Sequence, residues 1–385
     1  MAMFKELPED LVTQILLWLP VVSLLRFKCV CKSWYALITH QNFITKHLLQ
    51  KKNSNNRSNT QLLLKLRDLR WNYVVYTLDY ETLQVSLTQS LPPLFSFGDY
   101  EEGGIYVVGS CNGLVCLHGN SIYEFNVVIW NPATKETKVV PESNVPPLAC
   151  IGFGFDAKTN DYKIINIRFL FHPHSNSRNY PYQNYSYQKA VYSLNADSWR
   201  IVDWEHRRVH FLTDDYKGPM TYVNGVASWR VLGDGYDWGG VLSFDMSDEV
   251  FLETPLPDVV MRNRDPNFWE ELFLLNESIA MAVSSHSEDW SNVCFDIWLL
   301  LEVGVKDSWT KLFTIGPGIP RPLGFWKNGT MFLENVNGLV LYDPSTKEMT
   351  DLQIHHRHRD SMQLVTYMET LVSVKGGNGF EEQDI

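Results

Sequence analysis

A repeat of about 52 residues constrains the fold of this chain more than any other feature of its sequence. Similar short motifs begin at Asn224, Asn276 and Asn328, each 52 residues after the one before. Asn112-Gly113-Leu114-Val115 lies 112 residues before Asn224, about two periods, and Asn59-Thr60-Gln61-Leu62 lies 53 residues before Asn112. A fixed period of this length is typical of arrays in which each unit is one small group of secondary-structure elements.

A second motif follows the first by roughly 15–20 residues. Trp130-Asn131-Pro132-Ala133-Thr134-Lys135-Glu136 and Tyr342-Asp343-Pro344-Ser345-Thr346-Lys347-Glu348 are near copies, and Phe244-Asp245-Met246-Ser247-Asp248-Glu249 is a looser one. Each supplies an aromatic residue, an Asn or Asp that can cap a turn with its side chain, and polar residues after it. The motif therefore predicts hairpin turns between the outer strands of a repeated sheet.

The segments between these motifs are typical of strands, since they are short, rich in β-branched and aromatic residues, and bounded by Gly, Asn, Asp and Pro. A unit near 50 residues with about four strands matches a kelch-like propeller blade. Residues 60–375 then hold about six units, which predicts an all-β, six-bladed propeller. A β-sandwich is the alternative, and the unit around Tyr162–Phe169 lacks the Asn-Gly motif.

The chain before the repeats has helical periodicity. A helix is predicted from Pro8 to before Pro20, because Val12, Ile15, Leu16 and Leu19 fall on one face and Pro20 cannot continue the hydrogen-bond ladder. Two more short helices are predicted, one after Ser23 with Leu24 and Phe27, and one with Trp34, Leu37 and Ile38. Three short helices form a marginal core, so part of their apolar surface should meet a partner or a neighbouring domain.

The predicted domains are a helical unit over residues 1–48, a polar linker over 49–59, the β domain over 60–375 and a flexible tail over 376–385. The linker is placed by Lys51–Asn59, which contains no apolar residue. Residues 1–52 contain seven Lys or Arg and three Asp or Glu, a net charge of +4. Because the whole chain has a net charge of −11, residues 53–385 carry −15. An acidic β domain argues against nucleic-acid binding and fits a basic protein partner, and the alternative is that the charge only keeps the domain soluble.

Six scattered cysteines in 385 residues are too few for a disulfide scaffold, which predicts a cytoplasmic or nuclear protein with reduced thiols. The apolar stretch Leu11–Leu25 is too short and too interrupted to span a membrane. No membrane association is therefore expected.

The first 48 residues resemble a plant F-box. The matching positions run along nearly the whole unit: Leu7-Pro8, Ile15-Leu16, Leu19-Pro20, Ser23-Leu24, Arg26-Phe27, Cys31-Lys32-Ser33-Trp34, Leu37-Ile38 and Phe43. The resemblance implies docking to the Skp-type adaptor, and through it the cullin, of an SCF ubiquitin ligase. By this likeness the adaptor would be contacted by Leu7, Pro8, Leu11, Ile15, Leu19, Pro20 and Leu24. Trp34 and Leu37 would mostly hold the helices together. An unrelated helical cap on the β domain is the alternative.

The β domain is similar to the plant F-box-associated interaction domain. The similarity rests on Gly109-Ser110-Cys111-Asn112-Gly113-Leu114-Val115-Cys116, Trp130-Asn131-Pro132-Ala133-Thr134, Gly152-Phe153-Gly154-Phe155-Asp156, Ser198-Trp199-Arg200 and Ser308-Trp309-Thr310-Lys311. Within that class the chain is most similar to S-locus F-box and S-locus F-box-like proteins of flowering plants. This implies a non-catalytic receptor that presents a target protein for ubiquitin-dependent degradation. In that family, pollen receptors recognise basic pistil S-ribonucleases in self-incompatibility.

Two loops are candidates for target binding. His172–Gln188 contains Tyr180, Tyr182, Tyr185 and Tyr187 among Asn, Ser and Gln, a composition typical of adaptable binding loops. Ser284–Asn292 contains Glu288, Asp289 and Trp290, an acidic and aromatic group. A solvated insertion is the alternative for either loop.

The sequence contains no catalytic, phosphate-binding or metal motif, and no cofactor is predicted. His355-His356-Arg357-His358-Arg359 is interpreted as an exposed basic turn, because its arginines would repel a cation. Cys111 and Cys116 are interpreted as buried small residues. Two other functions stay open: a lectin-like module that stacks sugars on some of the 13 tryptophans and 18 tyrosines, and a propeller enzyme of the galactose-oxidase type.

Overall fold

The structure, a computed structural model, describes residues 7–53, 60–68, 70, 72–92, 104–120, 125–143, 149–171, 185–202, 209–211, 220–233, 239–262, 270–285, 292–356 and 362–375. Within these ranges, four helices at the N-terminus are followed by a long series of antiparallel strands. The predicted division into a helical unit and an all-β domain is confirmed.

The N-terminal helices are α1 (Glu9–Leu17), α2 (Val21–Phe27), α3 (Lys32–Thr39) and α4 (Gln41–Asn53), and together they form the helical domain. Pro8 directly precedes α1 and Pro20 directly precedes α2. At the start of a helix the missing N–H of proline costs no hydrogen bond, because the first N–H groups have no partner within the helix. The first three helices match the prediction to within a few residues.

The fourth helix was missed, and it corrects the predicted domain boundary. α4 continues to Asn53, so residues 49–53 of the predicted linker are helical. One side of this helix is buried, through Phe43, Ile44 and His47. Its polar end is compatible with a helix because the Lys51 ammonium donates a 3.0 Å hydrogen bond to the carbonyl of Glu369 in the β domain.

The β domain consists of six antiparallel sheets, or blades. Blade 1 contains β25 (Gln363–Tyr367), β1 (Gln61–Arg67), β2 (Tyr73–Asp79) and β3 (Val85–Ser90); blade 2 contains β4 (Ile105–Cys111), β5 (Leu114–Asn120), β6 (Phe125–Trp130) and β7 (Thr137–Val139). Blade 3 contains β8 (Ala149–Asp156), β9 (Asp161–Phe171), β10 (Tyr185–Ser193) and β11 (Ser198–Ile201). Blade 4 contains β12 (Val209–Phe211), β13 (Thr221–Val223), β14 (Val226–Gly233), β15 (Gly239–Asp245) and β16 (Phe251–Pro255), and the short helix α5 (Asp258–Arg262) follows it. Blade 5 contains β17 (Glu270–Leu275), β18 (Ser278–Ser284), β19 (Phe295–Leu300) and β20 (Trp309–Ile315); blade 6 contains β21 (Arg321–Phe325), β22 (Met331–Asn335), β23 (Gly338–Asp343) and β24 (Glu348–His355).

The blades form a closed ring. First strands of neighbouring blades contact each other, as β25 does with β4, β4 with β8, β17 with β21 and β21 with β25. The ring closes because β25, from the end of the chain, supplies the first strand of blade 1 and pairs with β1. The predicted six-bladed propeller is confirmed, and a sandwich of two sheets is excluded. After β25, residues 368–375 form an irregular segment, the C-terminal strap.

The repeated Asn motif is the turn between the first and second strands of four blades. Asn112, Asn224, Asn276 and Asn328 all have positive φ, as do the residues after them: Gly113, Gly225, Glu277 and Gly329. Two successive positive φ angles define the type I′ hairpin turn, which favours Asn-Gly. In blade 3 the same position is a longer turn, in which the Asp156 carboxylate accepts a 2.8 Å hydrogen bond from Lys158 N, and this explains the missing motif.

The second motif forms the turn between third and fourth strands, as predicted. The side-chain oxygen of Asn131, Asp245 or Asp343 accepts a hydrogen bond from the backbone N–H two residues later, at 2.8–3.0 Å. The equivalent turn of blade 1 contains Leu83, which has positive φ. In this turn the Asp79 carboxylate accepts a hydrogen bond from the backbone N–H of Glu81.

Tryptophan side chains join neighbouring blades. The indole N–H groups of Trp199, Trp229, Trp309 and Trp326 donate to backbone carbonyls of the adjacent blade, at Pro141, Ile151, Pro255 and Tyr80, over 2.8–3.2 Å. The Ser-Trp motifs at Trp199 and Trp309 therefore have a structural role.

A buried lysine lies where the ring closes. The Lys65 ammonium on β1 is 3.2 Å from the Gln363 side-chain oxygen on β25, and that oxygen also accepts from Val107 N on β4 at 2.9 Å. The rings of Tyr73 and Tyr106 lie 5.4 Å from the ammonium. Burial lowers the pKa of Lys65 to about 7, although Glu334 opposes this shift.

We expect Lys65 to make the stability of the ring depend on pH. The folded protein releases this proton near pH 7, whereas the unfolded chain keeps it until about pH 10.5, so the unfolded state binds more protons between these values. The free energy of unfolding should therefore rise with pH in this window, by up to about 1.4 kcal/mol per pH unit. Lys65→Met should remove this slope in denaturant unfolding between pH 7.5 and 9.5, and Lys311→Met, at an exposed lysine, should keep it. An identical slope in Lys65→Met would contradict the assignment.

Candidate partner-binding surfaces

The helical domain has a small core made by one side of each helix. Its buried apolar side chains are Leu16, Val21, Leu24, Ile38, Phe43 and Ile44. Phe27 and Trp34 pack beside them with ring centroids 5.2 Å apart, and Leu37 is half-buried against the same cluster. The predicted role of Trp34 and Leu37 in holding the helices together is consistent with this packing.

An exposed apolar stripe lies on the other side of α1 and α2. It consists of Leu11, Ile15, Trp18 and Val22, which are 47–74% exposed. Leu11, Ile15 and Trp18, at i, i+4 and i+7, lie on one side of α1 and its C-terminal cap, and Val22 follows in the first turn of α2. Leu7, Val30 and Tyr35 are also more than half exposed on this domain. So many large apolar side chains in water on one small domain are typical of a protein–protein interaction site.

Most residues predicted to contact an adaptor lie on the accessible surface. Leu7, Pro8, Leu11, Ile15 and Pro20 are exposed, and Leu19 is half-buried. Leu24 corrects the prediction: it is fully buried, because it follows Val21 by one helical turn and faces the core with it. Leu24 is therefore a core residue and cannot contact a partner while the domain is folded.

Sequence reasoning missed Trp18, Val22, Val30 and Tyr35. The expected apolar face of α1 ran through Val12, Ile15, Leu16 and Leu19, but the structure divides that face. Leu16 is buried at 2% exposure, whereas Ile15, its neighbour in sequence, is 53% exposed. The continuation of Leu11 and Ile15 to Trp18 at helical spacing was the signal that could have identified the part of the stripe on α1.

His47 on α4 fixes the end of the stripe-bearing helix. Its Nε2 lies 3.1 Å from the carbonyl oxygen of Leu19, and its ring stacks on Phe43 at 6.2 Å. Burial lowers the pKa of His47 below its ordinary value, and the Leu19 carbonyl opposes this shift. The imidazole is therefore neutral at physiological pH and supports the Leu19–Pro20 bend between α1 and α2.

The strand order separates two faces of the propeller. Because neighbouring strands are antiparallel, turns between first and second strands and between third and fourth strands share one face, and loops between second and third strands share the other. The C-terminal strap lies on the first face, where the Thr370 hydroxyl donates to the Asn112 carbonyl at 2.9 Å. The helical domain packs against this strap in one apolar cluster.

The predicted target-binding loops join second strands to third strands, so β9 and β18 end, and β10 and β19 begin, at the face opposite the helical domain. Tyr180, Tyr182, Glu288, Asp289 and Trp290 lie outside the described residues. Tyr185 and Tyr187 belong to β10, where their backbones pair with Phe171 and Phe169 of β9. The loop predicted over 172–188 is therefore shorter than expected at its C-terminal end.

The described ranges contain no group of three or more His, Cys, Asp or Glu that could hold a metal, and none of their helices is long and apolar enough to cross a membrane. Cys111 and Cys116 are buried, as interpreted. Burial raises the pKa of Cys111 to about 11. His356 differs from the exposed turn interpreted for its segment, since it is buried with Nε2 2.9 Å from the Asn335 carbonyl. His355 is exposed, and Arg357, His358 and Arg359 lie outside the described residues.

Comparison with known proteins agrees with this division into two parts. A family model of the F-box domain matches residues 4–46, and a model of the F-box associated beta propeller domain matches residues 65–374. An F-box/kelch-repeat protein of Arabidopsis thaliana is 28% identical over 358 residues, which cover 88% of each chain. An F-box protein of the same plant is 27% identical and covers 91% of this chain and 88% of the relative. Among solved structures, TolB from Acinetobacter baumannii matches 85% of this chain and 72% of its own with a TM-score of 0.44 and 8% identity.

The two sides of the helical domain should respond differently to truncation. Leu24→Ala leaves a cavity, so we expect the free energy of unfolding of this domain to fall by about 2–5 kcal/mol. Trp18→Ala removes an exposed ring and should change it by no more than about 0.5 kcal/mol. Hydrogen exchange of the α1–α4 amides in the full chain measures both effects. Equal loss of protection in the two variants would show that the faces are wrongly assigned.

Proposed function

This chain belongs to the F-box proteins that carry an F-box-associated β-propeller domain, and we propose that it is the substrate receptor of an SCF-type ubiquitin ligase. The helical domain is the F-box. The observation that carries the proposal is the exposed stripe of Leu11, Ile15, Trp18 and Val22 on the helical domain. An apolar surface of this kind fits a Skp-type adaptor, which links the receptor to a cullin.

In this proposal the chain positions a target and does no chemistry itself. The adaptor binds at one end of the molecule. The second strand of each blade ends, and the third begins, at the opposite face, where a target can approach without meeting the adaptor. Loops held by a rigid scaffold are well suited to recognition.

The proposed target is a basic protein, and the S-locus resemblance makes a basic S-ribonuclease in pollen self-incompatibility the specific candidate. Charge supports this choice, because residues 53–385 carry a net charge of −15. Opposite net charges speed association and favour the matching partner. The lectin-like alternative is less favoured, since Trp199, Trp229, Trp309 and Trp326 bond neighbouring blades.

We further propose that the receptor acts in the cytoplasm or nucleus. All six cysteines lie among the described residues, and each is a free thiol. A reducing compartment maintains thiols in this state.

Adaptor binding should depend on the stripe. We expect Leu11→Ala with Ile15→Ala to weaken binding of a purified Skp-type adaptor at least tenfold, since central apolar contacts in an interface are worth about 1–2 kcal/mol each. The matched control is Leu301→Ala with Val305→Ala, at exposed apolar residues of blade 5, which should bind like the native chain. Calorimetric titration measures the three affinities. Unchanged affinity in the stripe variant would refute the proposed adaptor site.

The same variants separate adaptor from target in affinity capture from plant tissue extract. We expect the native chain and the blade 5 variant to retain adaptor, cullin and target, and the stripe variant to retain the target alone. If the retained target is not a basic ribonuclease, the S-locus assignment is wrong and the receptor assignment stands. If the native chain retains no adaptor, the receptor assignment is wrong.

A further inference from the structure

The C-terminal strap, residues 368–375, contacts both domains of the molecule. On the propeller side, the Asn131 side-chain amide donates to two strap carbonyls, to Thr370 at 3.1 Å and to Val372 at 2.7 Å. The Glu136 carboxylate accepts from the Ser373 hydroxyl at 2.9 Å and from Val374 N at 3.2 Å. Both residues belong to one turn of blade 2, so this turn holds the strap along most of its length.

The neighbouring turn of blade 2 is shaped to admit the strap. A Cβ atom on Gly113 would lie 2.5 Å from the Thr370 hydroxyl and would also overlap the Met368 carbonyl. Gly225 and Gly329 occupy the same position in blades 4 and 6, and a Cβ atom there would meet nothing within 4 Å. The lack of a side chain at Gly113 is therefore needed for the strap as well as for the turn.

The other side of the strap holds the F-box. Leu371, Val372 and Val374 belong to the same apolar cluster as Leu24 and Ile38 of the helical domain. The Lys51 ammonium on α4 donates to the Glu369 carbonyl at 3.0 Å. Lys28 follows α2, and burial lowers its pKa. The Glu136 carboxylate lies close enough to Lys28 to oppose this shift.

A comparison of two near-identical turns shows that blade 2 is specialised for this contact. Asn131 in blade 2 and Asp343 in blade 6 cap their turns in the same way, through Oδ1 and a backbone N–H. The turn accepts either residue, but only an amide can also donate to the strap carbonyls. Asparagine at position 131 is thus explained by the strap and not by the turn.

We propose that the C-terminal strap is a latch that locks the F-box to the propeller. Because the strap continues directly from β25, the strand that closes the ring, ring closure and F-box attachment form one cooperative unit. The latch holds the adaptor-binding stripe and the opposite face at a fixed distance and orientation. This functional consequence rests on the proposed receptor function, whereas the latch itself does not.

The test is hydrogen exchange of the full chain with Asn131→Asp and its reciprocal control Asp343→Asn. Asn131→Asp keeps the turn cap and turns the strap-facing donor into a carboxylate against two carbonyls. We expect amides of α4 and of residues 368–375 to exchange at least tenfold faster in this variant, with blades 4–6 unchanged. Asp343→Asn should exchange like the native chain. Unchanged protection of α4 in Asn131→Asp would overturn the latch.

A second pair keeps the test decisive if Asn131→Asp fails to fold. Gly113→Ala and Gly225→Ala impose the same strained φ, but only the first obstructs the strap. Faster exchange of α4 in Gly113→Ala alone supports the latch, and equal exchange in the two variants refutes it.

Adaptor affinity is measured in parallel and should stay within twofold of the native value in Asn131→Asp, since the F-box core is intact. If the native chain does not bind the adaptor, the receptor function is refuted, and the exchange result still tests the latch.

Discussion

The pairing of β25 with β1 is the interaction on which the rest of the structure depends. It joins residues from the two ends of the chain, with Lys65 opposite Gln363 and Gln61 opposite Tyr367. Without it, blade 1 would lack its first strand and the β21 and β4 edges would have no neighbour between them. An unpaired strand edge leaves backbone groups without hydrogen-bond partners. The pairing therefore completes the backbone hydrogen bonds of blade 1, and it also delivers the strap to the F-box.

Contacts between blades combine apolar packing with buried charge. The Arg321 guanidinium on β21 is bound by Glu271 of blade 5 at 2.9 and 3.1 Å and by Glu334 of its own blade at 2.8 Å. Lys163 of blade 3 similarly contacts Asp156 of its own blade at 2.6 Å and Glu249 of blade 4 at 2.7 Å. Buried ion pairs add little net stability but are costly to break. We interpret them as groups that specify which blades lie next to each other among six sheets of similar shape.

The F-box shows how a small domain can expose apolar surface and remain folded. Four short helices bury few side chains, and on their own they would form a marginal core. Leu371, Val372 and Val374 of the strap join this core in one apolar cluster that continues into blades 2 to 4, so the F-box gains apolar contacts from the propeller. The stripe on α1 and α2 then does not have to fold inward, and it is left available for a partner.

The sequence by itself determined the features that depend on local conformation. Asn-Gly turns with positive φ, side-chain-capped turns and strand-length apolar segments are decided within a few residues, and their 52-residue period was sufficient to predict six blades. The first three helices followed from motif and periodicity in the same way.

Only the tertiary structure decided the contacts between residues far apart in sequence. Helical spacing places Ile15, Leu16 and Leu24 on apolar faces but does not say which face meets a core, because burial depends on what packs there. α4 was missed because its polar end is held by Glu369, more than 300 residues away. For the same reason, the closing role of β25 and the use of Asn131 by the strap could not be read from a local pattern, because each needs residues more than 200 positions apart to meet in space.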